Sequence, residues 1–333
     1  MQFSVAAGNF AKPEHCTPAR SAAQNARMNT SSLPATDGAA RQPTVALALG
    51  SGGAKGLAHI GVIEELEAQG YRITAIAGSS MGALIGGIHA SGKLDVYRDW
   101  VCSLAKFDVL KLVDWSFSGG GLIKGEKIIG TLRELVGDAL IEELPLAFTA
   151  VAVDIDRERE VWLSRGPLFD AIRASIAIPT VFRPHHIDDR RLVDGGLLNP
   201  VPVTPLIRET ADYLVAVSVD GVAVETSPGT PVEADAGDTP GYRQRVGALI
   251  NRLVPRGGGG DATREPGALE LLTQAMDLMQ ANLARLRLSA YEPDLLIQLP
   301  RNMANAYEFY RARELIELGR QQAREALAHW PRR

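Results

Sequence analysis

Cysteine, histidine and aromatic residues are all scarce in this chain of 333 residues. Of its two cysteines, Cys16 lies in a polar N-terminal stretch and Cys102 lies in the body of the sequence. Two cysteines placed in this way cannot form the disulfide framework of a small secreted domain. The sequence therefore predicts a protein of a reducing compartment, which we take to be the cytoplasm.

A strong excess of charge is also absent. The 35 basic and 39 acidic residues give a formal net charge of −4, and no dense run of lysine or arginine stands out. Because nothing in this balance attracts a polyanion, nucleic acid is not an expected partner. The first 16 residues have neither a basic segment nor a long apolar one, so no secretory signal is predicted.

One uncharged stretch, residues 73–92, is long enough to cross a bilayer. Its glycines and serines, with a turn signal in the middle, are instead typical of a buried strand followed by a tight turn and a buried helix. No membrane span is expected.

Hydrophobic periodicity divides the chain into a polar start and an α/β body. Residues 1–42 have few large apolar side chains, which predicts a disordered N-terminal extension. In residues 43–330, apolar runs alternate with helical patterns, as in a mostly parallel sheet covered by helices. The predicted strands are 44–50, 71–78, 146–154, 159–164, 213–220 and 294–300, and the predicted helices are 56–69, 80–92, 267–288 and 307–328.

Residues 221–266 interrupt this pattern with Gly, Pro, Glu, Asp and Thr, including RGGGGD at 256–261. A connection of this length without secondary structure is unusual inside a compact domain. The sequence predicts a mobile insertion within a single domain, placed so that it could cover or uncover a site.

The stretch GSSMG, residues 78–82, is the first candidate for chemistry. Gly78 and Gly82 flank Ser80 in the pattern G-x-S-x-G, between a predicted strand and a predicted helix. This is the setting of a nucleophile elbow, in which a strained turn exposes a serine and leaves no room for larger neighbours. Ser80 rather than Ser79 is therefore the candidate nucleophile, beside the positive end of a helix dipole.

A second glycine-rich loop, GSGGAKG at 50–56, follows the first predicted strand. Its glycine spacing is one residue too long for a dinucleotide loop, and Lys55 precedes Gly56 instead of following it, as a P-loop would require. An oxyanion hole is favoured, because neighbouring parallel strands end at the same edge of a sheet and this loop should lie near Ser80. The expected N–H donors are Gly52, Gly53 and Ala54.

The base for Ser80 is less obvious, because most of the six histidines are poorly placed. His59 and His89 fall within predicted helices, and His329 follows the last one. His185 and His186, just before a short predicted strand, stay open as an alternative base.

Asp194 is the other candidate base. It follows a short apolar pair and precedes Gly195 and Gly196, which would let the chain turn sharply and approach another backbone. An ordinary Asp-Gly turn would have the same sequence, so these residues alone leave the choice open.

Taken in order, GSGGAKG, GSSMG and DGG resemble the motifs of patatin-like phospholipases, most closely the bacterial branch related to neuropathy target esterase. ASIAIPTVFRP at 174–184 also resembles that branch, and the likeness covers roughly residues 43–220. The resemblance implies a three-layer α/β/α sandwich with a central, mostly parallel sheet. It also implies hydrolysis of the acyl esters of phospholipids or related lipids, without a metal or another cofactor.

The resemblance further implies roles for single residues. Ser80 would be the nucleophile and Asp194 the base of a Ser-Asp dyad, with Lys55 at the basic position of the glycine loop. Ser51 stands where many relatives have glycine, a departure that need not remove an N–H donor. The oxyanion hole would be the backbone of Gly52, Gly53 and Ala54, and the supporting glycines would be Gly78, Gly82, Gly195 and Gly196.

Access of a lipid substrate is a separate question. Residues 107–125 concentrate large apolar side chains, including Phe107 and Trp115, ahead of three glycines. The stretch is expected either to pack in the interior or to form a lip that makes peripheral contact with the inner membrane surface.

Two other functions are compatible with the same residues. One is a soluble short-chain esterase or thioesterase, and the other is a regulatory or binding protein with a vestigial site. The sequence makes no prediction of oligomeric state.

Overall fold

An eight-stranded sheet forms the centre of the computed structural model, which describes residues 41–111, 123–223 and 267–330. Five strands are parallel and lie in the order β3, β2, β1, β7, β8. They are β1 Thr44–Leu49, β2 Arg72–Ser79, β3 Ala147–Asp154, β7 Tyr213–Gly221 and β8 Leu295–Pro300. The antiparallel strands at the β3 side are β4 Arg159–Leu163, β5 His185–Ile187 and β6 Arg190–Asp194.

Helices cover both faces of the sheet. In the described residues they are α1 Ala58–Ala68, α2 Met81–Ala90, α3 Leu94–Ser103, α4 Lys106–Lys111, α5 Glu126–Val136, α6 Leu168–Ser175, α7 Ala268–Ala290 and α8 Ala312–Ala328. None of these helices has the length and hydropathy needed to cross a bilayer. Residues 73–92 instead form most of β2, a turn, α2 and the residues that end it.

The central strand β1 shows why the fold has three layers. All six of its residues are buried, and the five that follow Thr44 alternate between two cores. Val45, Leu47 and Leu49 face the larger core, which also contains buried residues of α1, α2 and α8. The alanines of β1 face a smaller core that includes residues of the segment 201–206 and Ala284 of α7. The predicted α/β/α sandwich with a mostly parallel sheet is confirmed.

Each predicted strand is found within one residue of its predicted bounds. The helix predicted to begin at 307 was wrong at its start, since α8 begins at Ala312. The Glu308 carboxylate accepts the Asn305 N–H and the Tyr310 hydroxyl, and this turn precedes the helix. No helix was predicted within 94–136 or at 168–175, where the structure has α3 to α6. The short strand predicted after the two adjacent histidines is β6, whereas β5, which contains them, was not predicted.

Three sequence predictions lie outside the described residues, wholly or in large part. They are the disordered extension at 1–42, of which only 41 and 42 are described, and the mobile insertion at 221–266, of which only 221–223 are described. The third is the apolar stretch at 107–125, whose residues 112–122 are not described.

Helices α1 and α8 pack closely because each contributes a glycine to the contact. A methyl group on Gly61 would overlap the Ile316 carbonyl oxygen, and one on Gly319 would overlap the Ala58 carbonyl oxygen. Glycine normally destabilises a helix by roughly 0.5–1 kcal/mol relative to alanine. Here it allows two helix backbones to approach each other where a Cβ atom would not fit.

We expect Gly61→Ala and Gly319→Ala each to lower the free energy of unfolding by about 2 kcal/mol, because the added methyl overpacks the helix contact. Gly130→Ala is the matched control, since Gly130 lies in α5 with nothing within 4 Å of an added Cβ. It should stabilise the protein by about 0.5–1 kcal/mol. Urea unfolding measures all three, and a shared sign would contradict this account of the helix contact.

Candidate active site

Ser80 lies on a strained turn between β2 and α2. Its backbone has φ 53° and ψ −120°, a conformation that residues with a Cβ rarely adopt. A methyl group on Gly78 would overlap the Gly82 backbone, and one on Gly82 would overlap the Leu49 carbonyl oxygen. The glycines at both ends of GSSMG are therefore required by close backbone contacts, as a nucleophile elbow demands.

The pairing of strands on β3 explains how Asp194 reaches this turn. β2 pairs with β3 up to Val151, which is opposite Ser79, and β6 pairs with β3 from Ala152, which is opposite Asp194. Since β4 pairs along 150–154, β2 and β6 must share the other edge of β3. Two strands from distant parts of the sequence thus end at consecutive positions on one edge, and the residues at their ends become neighbours.

The side chains of Ser80 and Asp194 meet in a direct hydrogen bond. The Ser80 hydroxyl donates to Oδ2 of Asp194 at 2.5 Å, and the Gly196 N–H donates to Oδ1 at 2.7 Å. Ser80 is 4% exposed and Asp194 is 2% exposed. The carboxylate is therefore held on both oxygens, with one oxygen directed at the serine.

Burial changes the acid strength of this carboxyl group. Desolvation raises the pKa of Asp194 to about 6, although the hydrogen bonds from Ser80 and Gly196 act in the opposite direction. A carboxylate with this pKa is a stronger base than an ordinary aspartate and is still ionised at neutral pH. The site thus meets the electrostatic requirement for a base that removes a proton from a hydroxyl group.

The two glycines after Asp194 are needed by their neighbours. A methyl group on Gly195 would overlap the Val151 carbonyl oxygen, and one on Gly196 would lie 3.0 Å from both Asp194 Oδ1 and Ser51 Oγ. The DGG stretch is therefore pressed against β3 and against the glycine loop, and larger residues would displace the carboxylate.

Hydrogen bonds hold the glycine loop on both sides of its centre. Gly50 N–H donates to Val217 at 3.0 Å, and Ser51 N–H donates to Pro200 at 2.8 Å. Ala54 N–H donates to the Ala306 carbonyl at 2.9 Å, so this predicted oxyanion donor is already occupied.

Two of the three predicted donors remain open. Among the described residues, no acceptor is found for the N–H groups of Gly52 and Gly53. Gly53 has φ 54°, and a methyl group on Gly52 would overlap the Val219 side chain. The loop thus leaves two adjacent donors between anchored residues, and the close approach of Val219 and the positive φ both require glycine.

Lys55 is paired with a carboxylate. Its Nζ lies 3.2 Å from Oδ1 of Asp220, and both side chains are largely buried. Asp277 of α7 belongs to the same charged group: burial raises its pKa, the Lys55 charge lowers it, and the Asp220 charge raises it. The lysine of the glycine loop therefore has acidic neighbours that offset its charge.

Two of the histidines in the described residues have partners away from Ser80. His59 is completely buried, with Nε2 2.8 Å from the Gly50 carbonyl oxygen, and burial lowers its pKa to about 4. His185 lies in β5 with Nε2 3.7 Å from Asp170, and burial lowers its pKa as well. His186, the other alternative, is exposed in β5. The Ser80 hydroxyl is hydrogen-bonded to Asp194 and not to His185 or His186.

Sequence reasoning gave no role to several residues that surround the elbow. Ser79 donates its hydroxyl to the Asn199 carbonyl at 2.6 Å, and Ser175 accepts the Ser80 N–H at 2.9 Å. Ser175 belongs to ASIAIPTVFRP, whose resemblance to the family was the available signal. Its partner is 95 residues away in the sequence, so no local pattern could identify the contact.

The chain is similar to known proteins of one family. The family model of patatin-like phospholipases matches residues 47–207. The chain is 41% identical to uncharacterized NTE family protein Rv1063c of Mycobacterium tuberculosis, an alignment that covers 86% of this chain and 91% of the relative. It is 30% identical to uncharacterized NTE family protein Rv2565 of the same species, which covers 86% of this chain and 47% of the relative.

The chain therefore belongs to the patatin-like phospholipase family, among the members related to neuropathy target esterase. A more distant relative is lysophospholipase nte1 of Emericella nidulans, at 28% identity over 56% of this chain and 12% of that protein. The resemblance predicted from the three motifs is confirmed, and at the level of the family it supports a lipid acyl hydrolase.

The raised pKa of Asp194 predicts a cost in stability. Because the folded pKa of about 6 lies above the ordinary value of 3.8, protonation stabilises the folded state. That contribution is complete below the ordinary value and is lost as the pH rises through about 6. Asp194→Asn should therefore be about 1–2 kcal/mol more stable than wild type at pH 8, with a smaller advantage as the pH falls toward 4.

Chemical denaturation at several pH values from 4 to 8 measures this difference. Other titrating groups act on both proteins alike, so the pH dependence of the difference reports on Asp194. A variant less stable than wild type at pH 8 would contradict the desolvated carboxylate.

Proposed function

We propose that this protein is a serine acyl hydrolase of the phospholipase A type, which cleaves carboxylic ester bonds of phospholipids or related lipids. The observation that carries the proposal is the 2.5 Å hydrogen bond from the buried Ser80 hydroxyl to the buried Asp194 carboxylate. Family membership supports the lipid substrate, and the contact between the two side chains supports the chemistry.

The first half of the reaction forms an acyl-enzyme. Ser80 Oγ attacks the ester carbonyl carbon while its proton moves to Asp194 Oδ2, and the carbonyl oxygen becomes an oxyanion. The open N–H groups of Gly52 and Gly53 are the proposed donors to that oxyanion. The carbon–oxygen bond to the leaving alcohol then breaks, and the alcohol oxygen takes the proton from Asp194.

The second half restores the enzyme. Asp194, again a carboxylate, accepts a proton from a water molecule that attacks the acyl carbonyl carbon. The bond to Ser80 Oγ breaks, Ser80 regains its proton, and the fatty acid leaves. One aspartate thus acts as base and acid in both halves, and no histidine is required.

A soluble short-chain esterase or thioesterase would use the same residues. Turnover of long-chain phospholipid in vesicles, compared with turnover of water-soluble short-chain esters and thioesters, separates these substrates. Phe107 is 51% exposed in α4, which supports the proposed peripheral membrane contact of the stretch 107–125. A cytoplasmic location also stays a proposal.

Labelling with a fluorophosphonate probe tests the nucleophile. We expect a single labelled peptide that contains Ser80, because only an activated serine reacts readily with such a probe. Ser80→Ala should lose the label, whereas Ser103→Ala, which removes an exposed serine of α3, should keep it. A label mapped to Ser79 or to another serine would contradict the proposal.

Substitution of the proposed base gives a companion result. Asp194→Asn should lower ester turnover by about a thousandfold, since the serine loses its general base. A double alanine variant of His185 and His186 should retain turnover within about threefold of wild type. Activity that survives Asp194→Asn but not the double variant would shift the role of base to a histidine.

The pH dependence of kcat/KM should follow ionisation of Asp194. With a pKa of about 6 in the folded protein, kcat/KM should rise with pH and level off above pH 7, because only the carboxylate accepts the serine proton. Below the midpoint, the rate should fall by about tenfold per pH unit. A profile that is flat from pH 5 to 8 would contradict the assignment of the base, and the double histidine variant should leave the midpoint unchanged.

A further inference from the structure

We propose that Ser175 is a positioning residue that holds the nucleophile in its strained conformation; this inference rests on the proposed function. Ser175 is the last residue of α6 and is completely buried. Its hydroxyl accepts the Ser80 backbone N–H at 2.9 Å and donates to the Val151 carbonyl at 2.6 Å. One hydroxyl thus bridges the elbow and β3, as an acceptor from the first and a donor to the second.

The hydrogen bond from the Ser80 N–H to Ser175 pairs a backbone donor that the elbow would otherwise leave unpaired. β2 ends at Ser79, and Ser80 adopts a positive φ, so the Ser80 N–H leaves the pattern of the sheet. A buried backbone N–H without an acceptor is costly, and such groups are almost always paired in folded proteins. The Ser175 hydroxyl supplies the acceptor, and it therefore favours the strained turn over relaxed alternatives.

The second hydrogen bond, from Ser175 to the Val151 carbonyl, connects the Ser80 turn to the part of β3 beside which Asp194 lies. Val151 is opposite Ser79 in the sheet, and the next residue of β3, Ala152, is opposite Asp194. The chain of bonds from Ser80 N–H through Ser175 to Val151 fixes the nucleophile relative to this pair of residues. A displacement of about 1 Å is enough to disrupt a catalytic contact. A shift of this size in the Ser80 turn would break the Ser80–Asp194 hydrogen bond.

Ser175 is not assigned a part in the proton transfer. Its hydroxyl contacts the backbone of Ser80, whereas the Ser80 side chain donates to Asp194. Loss of Ser175 should therefore reduce the rate of the chemical step and leave substrate binding largely intact.

The test compares Ser175→Ala with a matched control, Thr44→Val. Thr44 is buried at the opposite end of β1, where its hydroxyl accepts the Asp212 N–H at 2.9 Å and donates to the Asp212 carboxylate at 2.7 Å. Each substitution removes a buried hydroxyl with one bond in each direction. The two variants should lose similar amounts of thermal stability, and they should differ in activity.

For Ser175→Ala we expect kcat and the rate of fluorophosphonate labelling to fall by about tenfold or more, with KM within about twofold of wild type. Hydrogen exchange at the Ser80 amide should accelerate by about tenfold, because its acceptor is gone. Thr44→Val should leave kcat, labelling and exchange at Ser80 within about twofold of wild type. Ser175→Cys has a side chain of similar size and weaker hydrogen bonds, and it serves if the alanine variant does not fold; the same loss of kcat is expected.

Three results would overturn the inference. One is a Ser175→Ala or Ser175→Cys variant with wild-type kcat, another is equal loss of kcat in the Ser175 variants and Thr44→Val, and the third is unchanged exchange at the Ser80 amide. These leave the proposed function standing, as long as wild type is active and labelled at Ser80. A folded wild type that neither hydrolyses esters nor takes the label would overturn the proposed function, and this inference with it.

Discussion

Val151 and Ala152 are consecutive residues of β3. The arrangement of the candidate site depends on the two strands, β2 and β6, that end beside them. β2 arrives parallel and stops opposite Val151, while β6 arrives antiparallel and stops opposite Ala152. An edge can be shared in this way only if each strand ends at this point and its chain turns away at once. The Ser80 elbow and the Gly195–Gly196 turn provide those departures, and the two side chains they release lie within hydrogen-bonding distance.

The position of Asp194 at the meeting point of β2, β3 and β6 also determines its pKa. A carboxylate at the end of a buried strand loses the solvent that would stabilise its charge, and its pKa rises to about 6. Two hydrogen bonds offset part of that cost without removing it. The proposed base is therefore ionised at neutral pH, but its charged form is less favourable than that of an exposed aspartate. The tightly packed cores on both faces of the sheet stabilise the fold that keeps it there.

Local patterns predicted the strands and the elbow well because the sequence signals for both lie in adjacent residues. β1 is a continuous apolar run, and G-x-S-x-G is a pattern of five adjacent residues in which Gly78 lies against the Gly82 backbone. The partner of Ser80 is 114 residues away, and only the resemblance to a family joined the two. The contacts of Ser175 and Ala306 could not be predicted, since they depend on which backbone groups the sheet leaves unpaired. For the same reason, the sequence could not predict that the Ala54 N–H is already hydrogen-bonded.

The glycine loop shows how such unpaired groups are selected. Gly50, Ser51 and Ala54 donate their N–H groups to three separate segments, at Val217, Pro200 and Ala306. The two residues between these anchors are left with donors that face no acceptor in the described part of the chain. Donors fixed in this way need no reorganisation when charge develops on a carbonyl oxygen, which is the property that makes an oxyanion hole effective. The anchors are thus as important to the proposed reaction as the donors, because a loop free to turn would direct its N–H groups to water.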